Sequence, residues 1–189
     1  PIYLIDYPVA SDPKSIEIFN SILASGSCEI GAQLHAWVTP PHDEEINTRN
    51  SYACNLPEPL ERQKIESLFG RLKQSFGAKP LIYRAGRYGA GPHTISVLRE
   101  MGVRIDSSVR SLFDYSPQEG PDFKNCSLHP YWLTKGEVFE LPLTSVFAGM
   151  LRANAQKLFG RAFESETARA FLARTKLLER IALTPEGIP

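Results

Sequence analysis

Apolar positions along this chain alternate between short runs and helical stripes. Ile2 to Ile5 (IYLI) is a continuous apolar run, the pattern of a strand buried on both faces. Ile16, Phe19, Ile22 and Leu23 then recur at helical spacing, with Asp12-Pro13 as N-cap and first turn and Gly26 as the stop. From Glu29 to His35 the period is two: Ile30, Ala32 and Leu34 share one face, and Gln33 and His35 the other. Pro40 and Pro41 cannot serve a central ladder, so this strand is expected to stop near Trp37.

The alternation repeats downstream. Leu56 to Gly77 opens with prolines, carries Ile65, Leu68, Phe69, Leu72 and Phe76 on one stripe, and ends on a glycine cap. Leu81 to Arg84 is a strand, Pro92 to Gly102 a helix with Ile95, Leu98 and Met101, and Val103 to Asp106 another short strand. Ser107 to Pro130 shows little periodicity and reads as a long loop, followed by strands at Tyr131 to Leu133 and Val138 to Leu143 around a Lys135-Gly136 turn. A helix is expected from about Ser165 to Ile181, and the Thr184-Pro185-Glu186 cap begins another. Strands alternating with helices of this length predict parallel βα units, in a barrel or a doubly wound sheet.

Length and composition narrow the class. A chain of 189 residues with 42% hydrophobic residues suits one globular domain. Lys plus Arg and Asp plus Glu number 21 each, so no basic excess attracts nucleic acid or anionic lipid, and neutral substrates fit better. No apolar run reaches the roughly 18 residues of a membrane span, and no signal peptide is visible. Cys28, Cys54 and Cys126 lack CxxC spacing, which argues against a disulfide scaffold or zinc knuckle; this usage points to the cytoplasm. Sequence leaves the oligomeric state open.

His35 stands at a strand's carboxyl end, where α/β sheets place their ligands. By itself it reads as a hydrogen-bonded strand-end residue or as a pocket residue. Trp37 offers either a stacking platform for a sugar ring or a loop anchor. The run from Ala36 to Asn55, with His42 and an acidic trio at Asp43, Glu44 and Glu45, has the length of a lid, although a charge run is usually a solvated face. In YRAGRYG, a strand delivers Arg84, and Gly86 and Gly89 permit a tight turn that holds Arg87 and Tyr88 at the same mouth. Asp106 either orients a pocket group or caps the next turn, and Glu140, in an apolar strand, calls for a cation such as Arg84 or Arg87 unless it lies on an exposed face.

Three segments in this order, EIGAQLHAWVTPP at 29 to 41, YRAGRYG at 83 to 89 and VRIDSSV at 103 to 109, with LPLT at 141 to 144, resemble the polysaccharide deacetylase (NodB-homology, carbohydrate esterase 4-like) family, and within it a bacterial WalW-like branch. The resemblance implies an α/β fold, a partial, distorted (β/α) barrel of about seven strands. It implies metal-assisted hydrolysis of an N- or O-acetyl group on a carbohydrate, with a divalent metal, zinc foremost. Carried onto this chain, it makes Arg84 and Tyr88 catalytic candidates and His35 the metal-ligand candidate; beside them, Asp106 is kept as a catalytic candidate, and Trp37, Arg87 and Gln33 as substrate-binding candidates, from their own positions. Family members carry an Asp-Asp pair at the end of a first strand. Nothing before Ile2 supplies it, so the base is expected to be missing and the chain to be the middle of a domain, truncated at both ends. Gln33 and Trp37 stand where two metal histidines are usual, which leaves a non-catalytic carbohydrate-binding or scaffold domain as the alternative.

Overall fold

The computed structural model describes residues 1–77, 79–155, 157–158 and 165–182. Its main sheet is built from β1 (Ile2–Ile5), β2 (Glu29–Leu34), β3 (Ile82–Ala85), β4 (Ile105–Asp106), β5 (Tyr131–Thr134) and β6 (Val138–Glu140), in the order β1-β2-β3-β4-β6-β5. All neighbours are parallel except β5, which pairs antiparallel with β6 through the expected Lys135-Gly136 turn. The α/β expectation is met, and the described strands form an open sheet with β1 and β5 at its edges. Helices α1 (Tyr7–Ser11), α2 (Pro13–Ala24), α3 (Glu58–Phe76) and α4 (Pro92–Glu100) fill the connections between the first four strands. No described helix is long and apolar enough to cross a membrane.

The helix boundaries follow from local chemistry. Asp12 accepts from the Ser15 backbone N–H at 2.8 Å and opens α2, and Gly77, at φ 80°, closes α3 in the left-handed form. Helix α1 was not foreseen, although Asp6-Tyr7-Pro8 carries the same cap-then-proline signal; Asp6 accepts from Val9 N–H at 3.2 Å. Ile5, Ala32 and Tyr83 occupy one register row, and with Leu34 and Ala85 they pack against Ile65, Leu68 and Leu72 of α3 and Val97 and Leu98 of α4. Gln33 and Arg84, paired in register one residue on, therefore point to the face away from these helices.

Two expectations about the C-terminal part are corrected or untouched. The helix begun at Ser165 ends at Arg174 (α5, Glu166–Arg174), and Glu179–Ala182 is a strand, β8, paired antiparallel with β7 (Ser145–Ala148). Lys176 takes a left-handed φ of 54°, which breaks the helix, and the partner strand then supplies the backbone bonds that a longer helix would have made internally. The helix expected at Thr184 lies outside the described residues.

The loop after β2 is held from beneath. Lys64 on α3 has no exposed surface; its ammonium donates to the carbonyls of Ala36 (3.0 Å), Thr39 (2.7 Å) and Pro41 (2.5 Å) and pairs with Glu44 at 2.8 Å. Glu44, expected on a solvated acidic face, is thus a buried counter-ion whose side chain is 5% exposed. Removing one member of such a pair leaves a buried charge uncompensated. Lys64→Met is expected to lower unfolding free energy by about 3–5 kcal/mol, read by urea denaturation, and Glu44→Gln added to it is expected to restore part of the loss.

Candidate functional site

The carboxyl ends of β1, β2 and β3 lie side by side, so the residues that follow them meet. Asp6 follows β1 and His35 follows β2, and His35 Nδ1 lies 3.0 Å from Asp6 Oδ2. Their side chains are 25% and 20% exposed, so the pair is sheltered yet reachable. The hydrogen bond from His35 holds the Asp6 carboxyl below its usual range, against the opposing effect of burial. An ionised Asp6 can only accept, which places the proton on Nδ1 and leaves Nε2 as the open nitrogen. Trp37, in the 3₁₀ turn Ala36–Val38, sets its ring 5.0 Å from the His35 ring. Sequence reasoning missed Asp6. The signal was there, since IYLID ends the first strand on a carboxylate, although as a single Asp followed by Tyr7.

The YRAGRYG turn closes on this pair. A Cβ at Gly86 would overlap the His35 ring and stand 2.5 Å from the Leu34 carbonyl oxygen, and one at Gly89 would stand 2.9 Å from the Tyr52 Cα. The two glycines thus serve close approach. The left-handed dihedrals of the tight turn fall on Arg87 (φ 53°) and Tyr88 (φ 62°), a strained backbone for non-glycine residues. Arg84 and Tyr88 are each two residues from Gly86, within about 7 Å of it along the chain; the Arg84 side chain turns to Ser107, and the Tyr88 ring to Tyr115. Arg84 is half-buried and donates to the Ser107 carbonyl at 2.8 Å and to Ser107 Oγ at 2.9 Å. Burial lowers its pKa, opposed first by the nearby Tyr88.

Arg87 does not stand open to a ligand. It donates to Ser51 Oγ (2.5 Å), Tyr52 Oη (3.0 Å) and Gln118 Oε1 (2.8 Å), and lies 4.4 Å over the Tyr52 ring, so it braces the turn against the 45–55 loop. Gln33 shares the Arg84 row on the open face. Asp106 pairs in register with Tyr83 and Glu140, on the face opposite Arg84 and away from the His35 mouth. There it accepts from Ser108 Oγ at 2.5 Å. Glu140 faces Asp106 and accepts from Val109 N–H at 3.0 Å; the expected cation, Arg84, acts on it electrostatically without a close ion pair. Burial raises both carboxyls, and the Asp106 charge raises Glu140 further, so the two share a proton at neutral pH. They line a cavity of about 440 Å³ with Ile95, Phe123, Cys126 and Tyr131, and none of Asp6, His35, Arg84 or Tyr88 reaches it.

The donor set does not fit a catalytic divalent metal. Zinc takes about three protein ligands from His, Cys, Asp or Glu, and among the described residues no three such side chains converge. Asp6 engages His35 Nδ1, Gln33 and Trp37 carry no zinc-type donor, and His42 and Asp43 are solvent-exposed.

Two outcomes are expected from this geometry. Gly86→Ala, which pushes a methyl into His35 and Leu34, is expected to cost about 1–3 kcal/mol and to shift the His35 ring resonances in NMR. Burial also pushes Glu61, between α3 and α4, up to about 7. Raised folded pKa values in Glu61, Asp106 and Glu140 mean that their stabilisation is complete below the ordinary carboxylate pKa of about 4 and is lost as pH rises through the folded values. The urea midpoint is therefore expected to fall from about pH 5 to about pH 9, and Glu140→Gln, an amide in place of the protonated carboxyl, is expected to flatten the alkaline part. An unchanged slope would show that the pair does not share a proton.

No protein-family model matches the chain, and no curated protein matches it by sequence. Among solved structures, it is similar to the crystal structure of a "putative polysaccharide deacetylase" from Mycobacterium smegmatis, with 22% identity and a TM-score of 0.50 over 75% of this chain and 40% of that one. A structure of IcaB from Ammonifex degensii matches at 23% identity and a TM-score of 0.39, covering 50% of this chain and 40% of that one, and adds no weight. The chain thus spans 40% of the length of the structures it matches, and over three quarters of its own residues it has the α/β fold of the Mycobacterium smegmatis protein.

Proposed function

We propose that the chain is part of a hydrolase of the polysaccharide deacetylase type, which removes an acetyl group from a carbohydrate. The observation that carries this reading is the Asp6–His35 pair at the carboxyl edge of the parallel sheet, with the Arg84-to-Tyr88 turn packed on it. The finer placement in the WalW-like, bacterial branch rests on the three sequence segments alone. Ester or amide hydrolysis needs a base for water, donors for the oxyanion, and a proton for the leaving group. His35 Nε2 is the base: Asp6 fixes the ring and balances the positive charge that forms when the ring takes the water's proton. The same imidazolium then returns that proton to the departing sugar oxygen or nitrogen. Arg84 and the Tyr88 phenol supply the donors on the turn side, and the Trp37 face packs the sugar ring beside His35.

A glycan-binding domain on the same fold is the second reading, favoured by Gln33 and Trp37 at the places where the resemblance puts metal histidines. Acetate release from acetylated chito-oligosaccharides and acetylated xylan separates the two. His35→Ala and Asp6→Asn are expected to lower the rate by about 10²–10⁴-fold while leaving glycan binding within a fewfold. Binding without acetate release from any of these substrates would sink the enzyme reading and leave the binding domain.

A further inference from the structure

Tyr88 is the hub of a group of arginines that form no close ion pair with a carboxylate. Arg110 lies 5.5 Å from the Tyr88 ring and 4.0 Å from Phe113, and Tyr88 stacks on Tyr115 at 5.8 Å and 23°. Arg84 feels Tyr88 electrostatically, and Arg87 is its chain neighbour. Among the described residues, no carboxylate lies within 4.0 Å of Arg84, Arg87 or Arg110. Their partners are neutral: Ser107 for Arg84, Ser51, Tyr52 and Gln118 for Arg87, and the Tyr115 hydroxyl at 2.9 Å for Arg110, whose Nε is buried without a partner. The acids of the same segment are engaged elsewhere. Asp114 and Asp122 hold Lys124 at 3.0 and 3.3 Å, and Glu119 holds Arg49 at 3.4 Å.

In a chain with a formal net charge of zero, three guanidinium groups beside one turn, with Asp106 and Glu140 acting on Arg84 only from beyond ion-pair distance, are a local excess that the whole-chain composition conceals. Partly buried cations are screened less by salt than exposed ones, so their field reaches the mouth. Arginine also stacks on aromatic faces while keeping its donors for an anion, which is the arrangement of Arg110 between Tyr88 and Phe113. We propose that Arg110, within the field of Arg84 and Arg87, is an anion subsite next to the His35 mouth, and that it selects an acidic glycan, one bearing a carboxylate or sulfate on the sugar adjoining the bound residue. The subsite rests on the reading of that mouth as a carbohydrate site. It reverses the preference for neutral substrates that the overall charge balance suggested.

Calorimetric titration of the whole chain with three oligosaccharides of equal length tests it: an oligouronate, a sulfated neutral-backbone oligomer and a chito-oligosaccharide. At low salt at least one acidic ligand is expected to bind about tenfold or more tighter than the neutral one, with the advantage fading as salt is raised. The uronate and sulfate arms tell which anion the subsite takes. Arg110→Gln is expected to remove the acidic advantage, Arg110→Lys to keep part of it, and Arg99→Gln, on the exposed end of α4, to leave it intact. Equal binding of acidic and neutral ligands by the unmodified chain overturns the proposal even if Arg110→Gln fails to fold, and so does an equal loss in Arg110→Gln and Arg99→Gln. Acidic ligands that bind through Arg110 yet release no acetate in acetylated form would refute the hydrolase and leave the subsite standing. Acetate release from neutral substrates without any acidic advantage would do the reverse.

Discussion

A lysine ammonium with no exposed surface lies under the loop that follows the second strand, and the geometry of the His35 mouth hangs on it. Burying an ammonium costs several kcal/mol unless its protons and charge are answered. Lys64 is answered on all sides, by three loop carbonyls and by Glu44. Those carbonyls belong to Ala36, Thr39 and Pro41, immediately after His35, so the charge on α3 dictates where the strand lets go and where Trp37 is set down. A loop of this length without regular structure would otherwise be free to move. Here it is clamped from the core side.

The second constraint is space. Gly86 and Gly89 let two backbones approach more closely than any side chain would allow, and the strain that this close turn requires is carried by Arg87 and Tyr88. Such strain persists only when the surroundings over-determine it. The surroundings do so: Arg87 is fastened to Ser51, Tyr52 and Gln118, and Tyr88 is packed between Tyr115 and Arg110. The same contacts that hold the turn thereby gather positive charge at the mouth.

The sheet keeps two kinds of acid chemistry apart by register. Asp6 meets a histidine beyond the strand ends and is held ionised, while Asp106 and Glu140, on the helix-facing side, face each other, and burial raises both carboxyls. A shift of one residue would have exchanged these environments, because alternate side chains of a strand face opposite ways. Asp106 looked like a member of the mouth from its place in VRIDSSV, and which face it takes was settled by the pairing of β4 with β3 and β6.

Periodicity and caps alone located β1, β2, β3, α2, α3, α4 and the β5–β6 hairpin, because hydrophobic spacing, proline and glycine act within a few residues of themselves. The placing of His35 at a strand end, and of Arg84 and Tyr88 at the next, followed from the same local signals. What no local signal contained was who meets whom. Asp6 became the partner of His35 only when β1 and β2 lay parallel, Glu44 left the surface only because Lys64 lay beneath it, and Glu179–Ala182 became a strand only because Ser145–Ala148 offered an edge. Those choices are made by contacts between residues far apart in sequence, whose energies depend on burial and pairing in the folded chain and have no counterpart in the order of the residues.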